Sequence, residues 1–99
     1  MSIIYIAGPY TKGDVALNVA KAIEVGMHYN DKGDYAVIPH LTHFTHMMHP
    51  RPYKYWITLD NLIIPKCDKL VRIAGDSPGA DDEVKLAEAS GLEIIKWPH

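Results

Sequence analysis

The stretch from Ile3 to Met27, IIYIAGPYTKGDVALNVAKAIEVGM, decides the fold. Ile3 to Ala7 is a short, β-rich apolar run that stops at Gly8-Pro9, so it reads as a buried strand followed by a turn. Asp14 then opens an amphipathic helix, with Val15, Val19, Ala20, Ile23 and Met27 on one stripe. The helix should end near Lys32-Gly33.

The same alternation continues down the chain. Tyr35 to Ile38 reads as a second strand, stopped by Pro39. His40 to Pro52, with four histidines and two prolines, reads as a loop. A second helix is expected from Tyr53 to about Ile64, closed by Pro65, and a third strand from Lys69 to Ala74. Ser77-Pro78 has the form of a cap followed by proline at the first helical position, with Gly91 as the stop. Leu92 to Lys96 makes a fourth strand. This order predicts an α/β fold: one doubly wound, flavodoxin- or Rossmann-like domain over residues 1–99. It would hold a parallel sheet of four to five short strands with helices on both faces. Ligands in such sheets bind beyond the carboxyl ends of the strands, here Gly8-Pro9-Tyr10, Pro39-His40 and Gly75-Asp76-Ser77.

The bulk numbers narrow the function classes. The chain has 99 residues, is 47% hydrophobic and 22% charged, and carries a net charge of −2. That balance is globular and opposes disorder. No basic excess points to a nucleic-acid polymer, and no apolar run approaches the ~20 residues that span a bilayer. The first residues lack the positive lead and cleavage site of a signal peptide. The single cysteine, Cys67, excludes an internal disulfide and fits a reducing compartment, so a cytoplasmic location is expected.

Two acids carry the chemistry. In the last helix Glu83 shares a face with Ala80, Val84 and Ala87, while Asp81, Asp82, Lys85 and Glu88 can face water. In the middle helix Asp60 sits in a stripe with Trp56, Leu59 and Ile63. Carboxylates rarely point inward without a partner or a task. Glu83 lies in the first two turns of its helix, where the dipole and free N–H groups favour the ionised form that a nucleophile needs. Two carboxylates about 5 Å apart can perform retaining glycoside chemistry. The plain alternative is that Glu83 pairs with a basic residue at the sheet edge and Asp60 caps something local; periodicity leaves both open. Ser77 to Gly79 is likewise either a simple helix start or an anion site.

His40, His43, His46 and His49 recur every three residues. Histidine is the commonest metal ligand, but no carboxylate or second cysteine joins them, so no metal and no other cofactor is expected. His40 is expected to line the pocket mouth and the others to form a polar lid or dimer contact. Trp56 is expected in the core, and Cys67 as a buried small side chain.

These residues together resemble the nucleoside 2-deoxyribosyltransferase superfamily, especially its small phage-type and deoxynucleoside monophosphate N-glycosidase-like branches. The match runs almost end to end: Ile4-Tyr5-Ile6-Ala7-Gly8-Pro9, Trp56 to Asp60, Cys67-Asp68, and Ser77-Pro78-Gly79 leading to Glu83. The Ser-x-Gly-x-x-x-Glu-x-x-x-Ala spacing is its most specific piece. The resemblance implies that Glu83 is the nucleophile forming a covalent deoxyribosyl-enzyme and that the Tyr5 hydroxyl holds it. It implies that Asp60 assists departure of the base, and that Gly8, Pro9 and Tyr10 line the base and sugar pocket. Ser77 matches the monophosphate hydrolases, whose serine lies near the 5′-phosphate; classical transferases carry an aspartate there. Those transferases also have a C-terminal extension where this sequence stops at His99. The expected activity is therefore hydrolysis of a nucleoside 5′-monophosphate, with base exchange or a non-catalytic nucleotide-binding module as the other readings. The expected partners are a small nucleoside or nucleotide and a second copy of the chain, with neither a nucleic-acid polymer nor a membrane.

Overall fold

The computed structural model describes residues 1–98; His99, the last residue of the sequence, lies outside the described residues. Four parallel strands form one sheet: β1 (Ile3–Ala7), β2 (Tyr35–Val37), β3 (Lys69–Ile73) and β4 (Glu93–Trp97), in the order β2-β1-β3-β4. Between them run α1 (Val15–Asp31), α2 (Thr42–Met48), α3 (Tyr53–Ile63) and α4 (Pro78–Ala89). β1 pairs with both neighbours in parallel, so Tyr5 lies opposite Val37 on one side and Leu70 on the other.

Strand side chains alternate between faces, and here both faces are covered. Ile4, Ile6, Val71 and Ile73 pack with Ala22, Val25 and Tyr29 of α1. Tyr5, Ala7 and Leu70 pack with Ala80 and Ala87 of α4 and with Ile64, Cys67 and Leu92. Each fully buried Ile, Leu or Val stabilises the fold by about 1.5–3 kcal/mol. The doubly wound α/β expectation holds, with four strands. Among the described residues no helix is long and apolar enough to cross a membrane.

Three local readings change. The buried face of α1 is Val19, Ala22, Val25, Gly26 and Tyr29, whereas Ala20 and Met27 are exposed. The helix lies so close to β2 that a Cβ at Gly26 would sit 2.5 Å from Ile38 Cδ1. Small residues therefore make the contact, and the larger side chains misdirected the stripe. The His40–Pro52 loop contains a 3-10 turn (Pro39–Leu41) and then α2, because no glycine or proline interrupts Thr42 to Met48. Finally, α3 has no buried residue, so the stripe around Asp60 is not a core face.

Candidate active site

The sheet reverses direction of winding between β1, which leads through α1 to β2, and β3, which leads through α4 to β4. Beyond the carboxyl ends of these two strands opens a cavity of about 770 Å³. That size suits a nucleotide-sized molecule. One wall comes from α4, the other from α2, α3 and the turn after β1.

The α4 wall is fixed by its own capping. Ser77 is the N-cap, its Oγ accepting the Ala80 N–H at 3.1 Å, and Pro78 follows at the first helical position. Ala80 and Ala87 then face the sheet, which brings Glu83 over β1. There the Tyr5 hydroxyl donates to Glu83 Oε2. Tyr5 is fully buried in the sheet, and its own ionisation is pushed far up by burial and then by the charges of Glu83 and Asp60. It therefore stays a donor and holds one carboxylate oxygen in place.

Glu83 and Asp60 both line the cavity. Burial pushes the Glu83 carboxyl up to about 7, opposed by the Tyr5 hydrogen bond and by Arg72, and reinforced by Asp60 and Asp82. Burial likewise pushes Asp60 up to about 6, with the Tyr5 hydroxyl pulling the other way. Removal from water thus opposes the ionised form that the start of a helix was expected to favour at Glu83. Near pH 6–7 the two carboxyls hold about one proton between them.

Sequence reasoning missed Arg72. Its side chain is 15% exposed at the end of β3. It donates to the carbonyls of Ile73, Gly75 (2.9 Å) and Ser77 (3.5 Å) and to Asp81 Oδ1 (2.9 Å). One guanidinium thereby ties the turn after β3 to the first turn of α4, the segment that aims Glu83. An arginine inside the apolar run Leu70 to Ala74 was the available signal. Gly79 is a further requirement, since a Cβ there would meet the Tyr53 hydroxyl at 3.0 Å.

The opposite wall carries the histidines. His40 is buried, not at the mouth, and its Nε2 lies 3.0 Å from the Pro9 carbonyl. A carbonyl only accepts, so Nε2 carries the proton and Nδ1 is left buried without a hydrogen-bond partner among the described residues. Burial pushes the His40 imidazole down from its ordinary value, against the Pro9 and Gly8 carbonyls. His43 Nδ1 is 2.6 Å from the Tyr10 hydroxyl. His46 Nδ1 faces two N–H donors, Trp56 Nε1 at 2.9 Å and the Arg51 amide at 3.2 Å. A spacing of three falls about 60° short of a full helical turn, so His40, His43 and His46 still share the cavity side while His49 is exposed. Trp56 is half-buried in the cavity wall, not in the core. Cys67 is buried and free. Among the described residues no group of three His, Cys, Asp or Glu side chains is arranged to hold a metal ion.

Of the residues singled out from sequence, Glu83, Asp60, Gly8, Tyr10, His40, Ser77 and Gly79 line this cavity. Tyr5 lies beneath it, touching Glu83. Pro9 is not part of the lining; its carbonyl serves His40 and its ring abuts Gly75.

The chain belongs to the family described as a domain of unknown function (DUF7768), whose model matches residues 2–97. No curated protein matches it.

Proposed function

We propose that the protein is an N-glycosidase that hydrolyses the base–sugar bond of a deoxynucleoside or nucleoside 5′-monophosphate through a covalent glycosyl-glutamate. The observation that carries this reading is the buried Tyr5 hydroxyl donating to Glu83 in a nucleotide-sized cavity that also holds Asp60. A carboxylate gripped by one oxygen keeps the other free to attack.

In the reaction, ionised Glu83 attacks C1′ and forms a C–O bond as the C1′–N bond breaks. The electron pair passes to the base nitrogen, and protonated Asp60 supplies the proton for the departing base. Asp60, now a carboxylate, takes a proton from water. The oxygen of that water attacks C1′, breaking the ester and returning Glu83. The proton ends on Asp60, so the cycle closes with no cofactor. Absence of a 2′-hydroxyl eases positive charge at C1′, which makes the deoxy sugar the better substrate. Ser77, at the position of the monophosphate-hydrolase serine, supports a 5′-monophosphate.

Two accompanying readings belong with this one. The enzyme works as a homodimer in the cytoplasm. Phe44, Met47 and Met48 on α2 and Tyr55, Leu59 and Leu62 on α3 are exposed apolar side chains, more than a small monomer commonly leaves to water on adjoining helices. A second copy of the chain would cover them.

The test is incubation with deoxynucleoside and ribonucleoside 5′-monophosphates and the free nucleosides, with released base measured by chromatography, beside a Glu83→Ala control. Release from monophosphates that vanishes in the control supports hydrolysis. Release only when a second free base is added would make the protein a transferase. No release, with nucleotide binding retained, would replace the enzyme by a binding module.

A further inference from the structure

Two phenol groups flank the acids. Tyr5 comes from the sheet, buried, with its hydroxyl committed to Glu83. Tyr53 comes from the first turn of α3 and lines the cavity, 64% exposed. Its hydroxyl lies 3.0 Å from the point a Cβ on Gly79 would occupy, so the side chain reaches across the cavity from α3 to α4. Burial, and then the charges of Glu83, Asp60 and Asp82, push the ionisation of Tyr53 up. The group therefore stays a neutral hydroxyl close to both acids. Among the described residues that hydroxyl makes no hydrogen bond, which leaves both its donor and its acceptor capacity unused.

Positions along α4 give a scale for what lies between the walls. Glu83 marks the place of C1′. Gly79, against which the Tyr53 hydroxyl rests, is one turn earlier, roughly 6 Å along the helix axis. That is comparable with the reach from C1′ across a furanose to its far hydroxyl. Ser77 lies two residues further toward the helix start. Its Oγ accepts the Ala80 N–H and keeps its own O–H to donate, so the 5′-phosphate retains its place there. A deoxynucleoside 5′-monophosphate has one free sugar hydroxyl, at C3′.

We propose that the Tyr53 hydroxyl binds the 3′-hydroxyl of the substrate's sugar, so that Tyr53 selects ligands in which that hydroxyl is present. This deepens the glycosidase reading of the same cavity and rests on it for the identity of the ligand. The sugar then lies along α4 between Glu83 and Ser77, with Tyr53 closing over it from the facing wall. Gly79 leaves the phenol oxygen its place, since a side chain there would press on it.

The experiment is calorimetric binding of the four deoxynucleosides, their 5′-monophosphates and the matching 2′,3′-dideoxy compounds. It uses the full chain in a Glu83→Gln background, which prevents turnover. Tyr53→Phe removes only the hydroxyl, and far-UV circular dichroism checks that the variant is folded. The expected result is a preference for the 3′-hydroxyl over the dideoxy ligand that falls about three- to tenfold in Tyr53→Phe. The fall should be equal for nucleosides and monophosphates, with dideoxy affinity unchanged. A preference that survives in Tyr53→Phe would overturn the assignment. So would a loss confined to monophosphates, which would put Tyr53 on the phosphate, or an equal loss for dideoxy ligands, which would make the phenol a matter of pocket shape. Binding of none of these ligands would overturn this assignment and the glycosidase reading together. If the Tyr53-dependent preference holds while the protein with Glu83 intact releases no base, the sugar contact stands and the glycosidase reading alone fails. If base is released while the preference is unmoved, the sugar contact alone fails.

Discussion

The two walls of the cavity were built by different kinds of instruction. On α4 every feature is local: Ser77 caps, Pro78 starts, Ala80 and Ala87 face the sheet, and Ser90-Gly91 closes the helix. Glu83 is aimed by that frame and then held by Tyr5 from the neighbouring layer. On the other side α2 and α3 bury no residue at all. Their positions rest on polar contacts, such as Trp56 to His46 and Tyr10 to His43, while their apolar side chains Phe44, Met47, Met48, Tyr55, Leu59 and Leu62 are exposed. A helix that packs on a sheet declares its inward face through small apolar residues. A helix that lines a cavity mixes acids, rings and apolar groups on that face and does not.

The largest expected effect isolates the α4 wall. Glu83→Gln keeps the acceptor for Tyr5 but removes the nucleophile, and base release should fall at least about 10³-fold in kcat. The same variant should be more stable at high pH. Glu83 is raised from an ordinary 4.5 to about 7 in the fold, so its stabilising protonated form is complete below 4.5 and lost as pH rises through about 7. Against wild type, Glu83→Gln should gain roughly 1–3 kcal/mol above pH 7 and almost nothing at pH 4, read by urea titration at both.

Asp60→Asn probes the facing wall. A loss of about 10²–10⁴-fold with ordinary bases, much reduced for a substrate whose leaving group needs no proton, would show that both walls act on one bond. A rate within a few-fold of wild type would detach α3 from the chemistry. Next comes the pH profile. Ionised Glu83 and protonated Asp60 must coexist, so activity should fail below about 6, where both are protonated, and above about 7, where both are ionised. The bell should be narrow, and low at its peak because the shared proton favours Glu83. A flat profile from pH 5 to 9 would break the pairing.

The smallest effect concerns support. Arg72→Met should cost about 1.5–3 kcal/mol in stability, since it removes charge-assisted bonds from a largely buried guanidinium. It should also move the Glu83 titration, followed by carboxyl carbon NMR, further upward. A stability loss with the titration unmoved would make Arg72 a brace for the turn and nothing more.

The alternation of strands and helices, the two covered faces and the α4 cap were legible because they depend on near neighbours in the chain: Ile3 to Ala7 with Gly8-Pro9, and Ser77-Pro78 with Gly91. The acids were legible as anomalies on otherwise apolar stripes. Their protonation was not, because it depends on how much water Tyr5, α3 and α4 together exclude. Arg72 escaped notice because its partners are backbone carbonyls of the following turn, which no side-chain pattern announces. The α1 face was misread because Ala22 and Gly26 make close contact by being small. α2 was misread because its histidines looked like loop composition when they mark one side of a helix.

Pro9 resting on Gly75 and the Lys12–Asp76 pair join the turns after β1 and β3 into one body. Asn18 adds to this, its side-chain amide holding the Tyr10 and Lys12 carbonyls at 3.0 and 2.7 Å. The rim over the sheet is therefore stiff, and the motion that admits a ligand falls to α2 and α3. Segments with no buried side chain open at a small fraction of the global unfolding free energy. Amide protons from Thr42 to Ile63 should exchange with solvent long before those of β1 and β3, and the cavity would breathe from one side only.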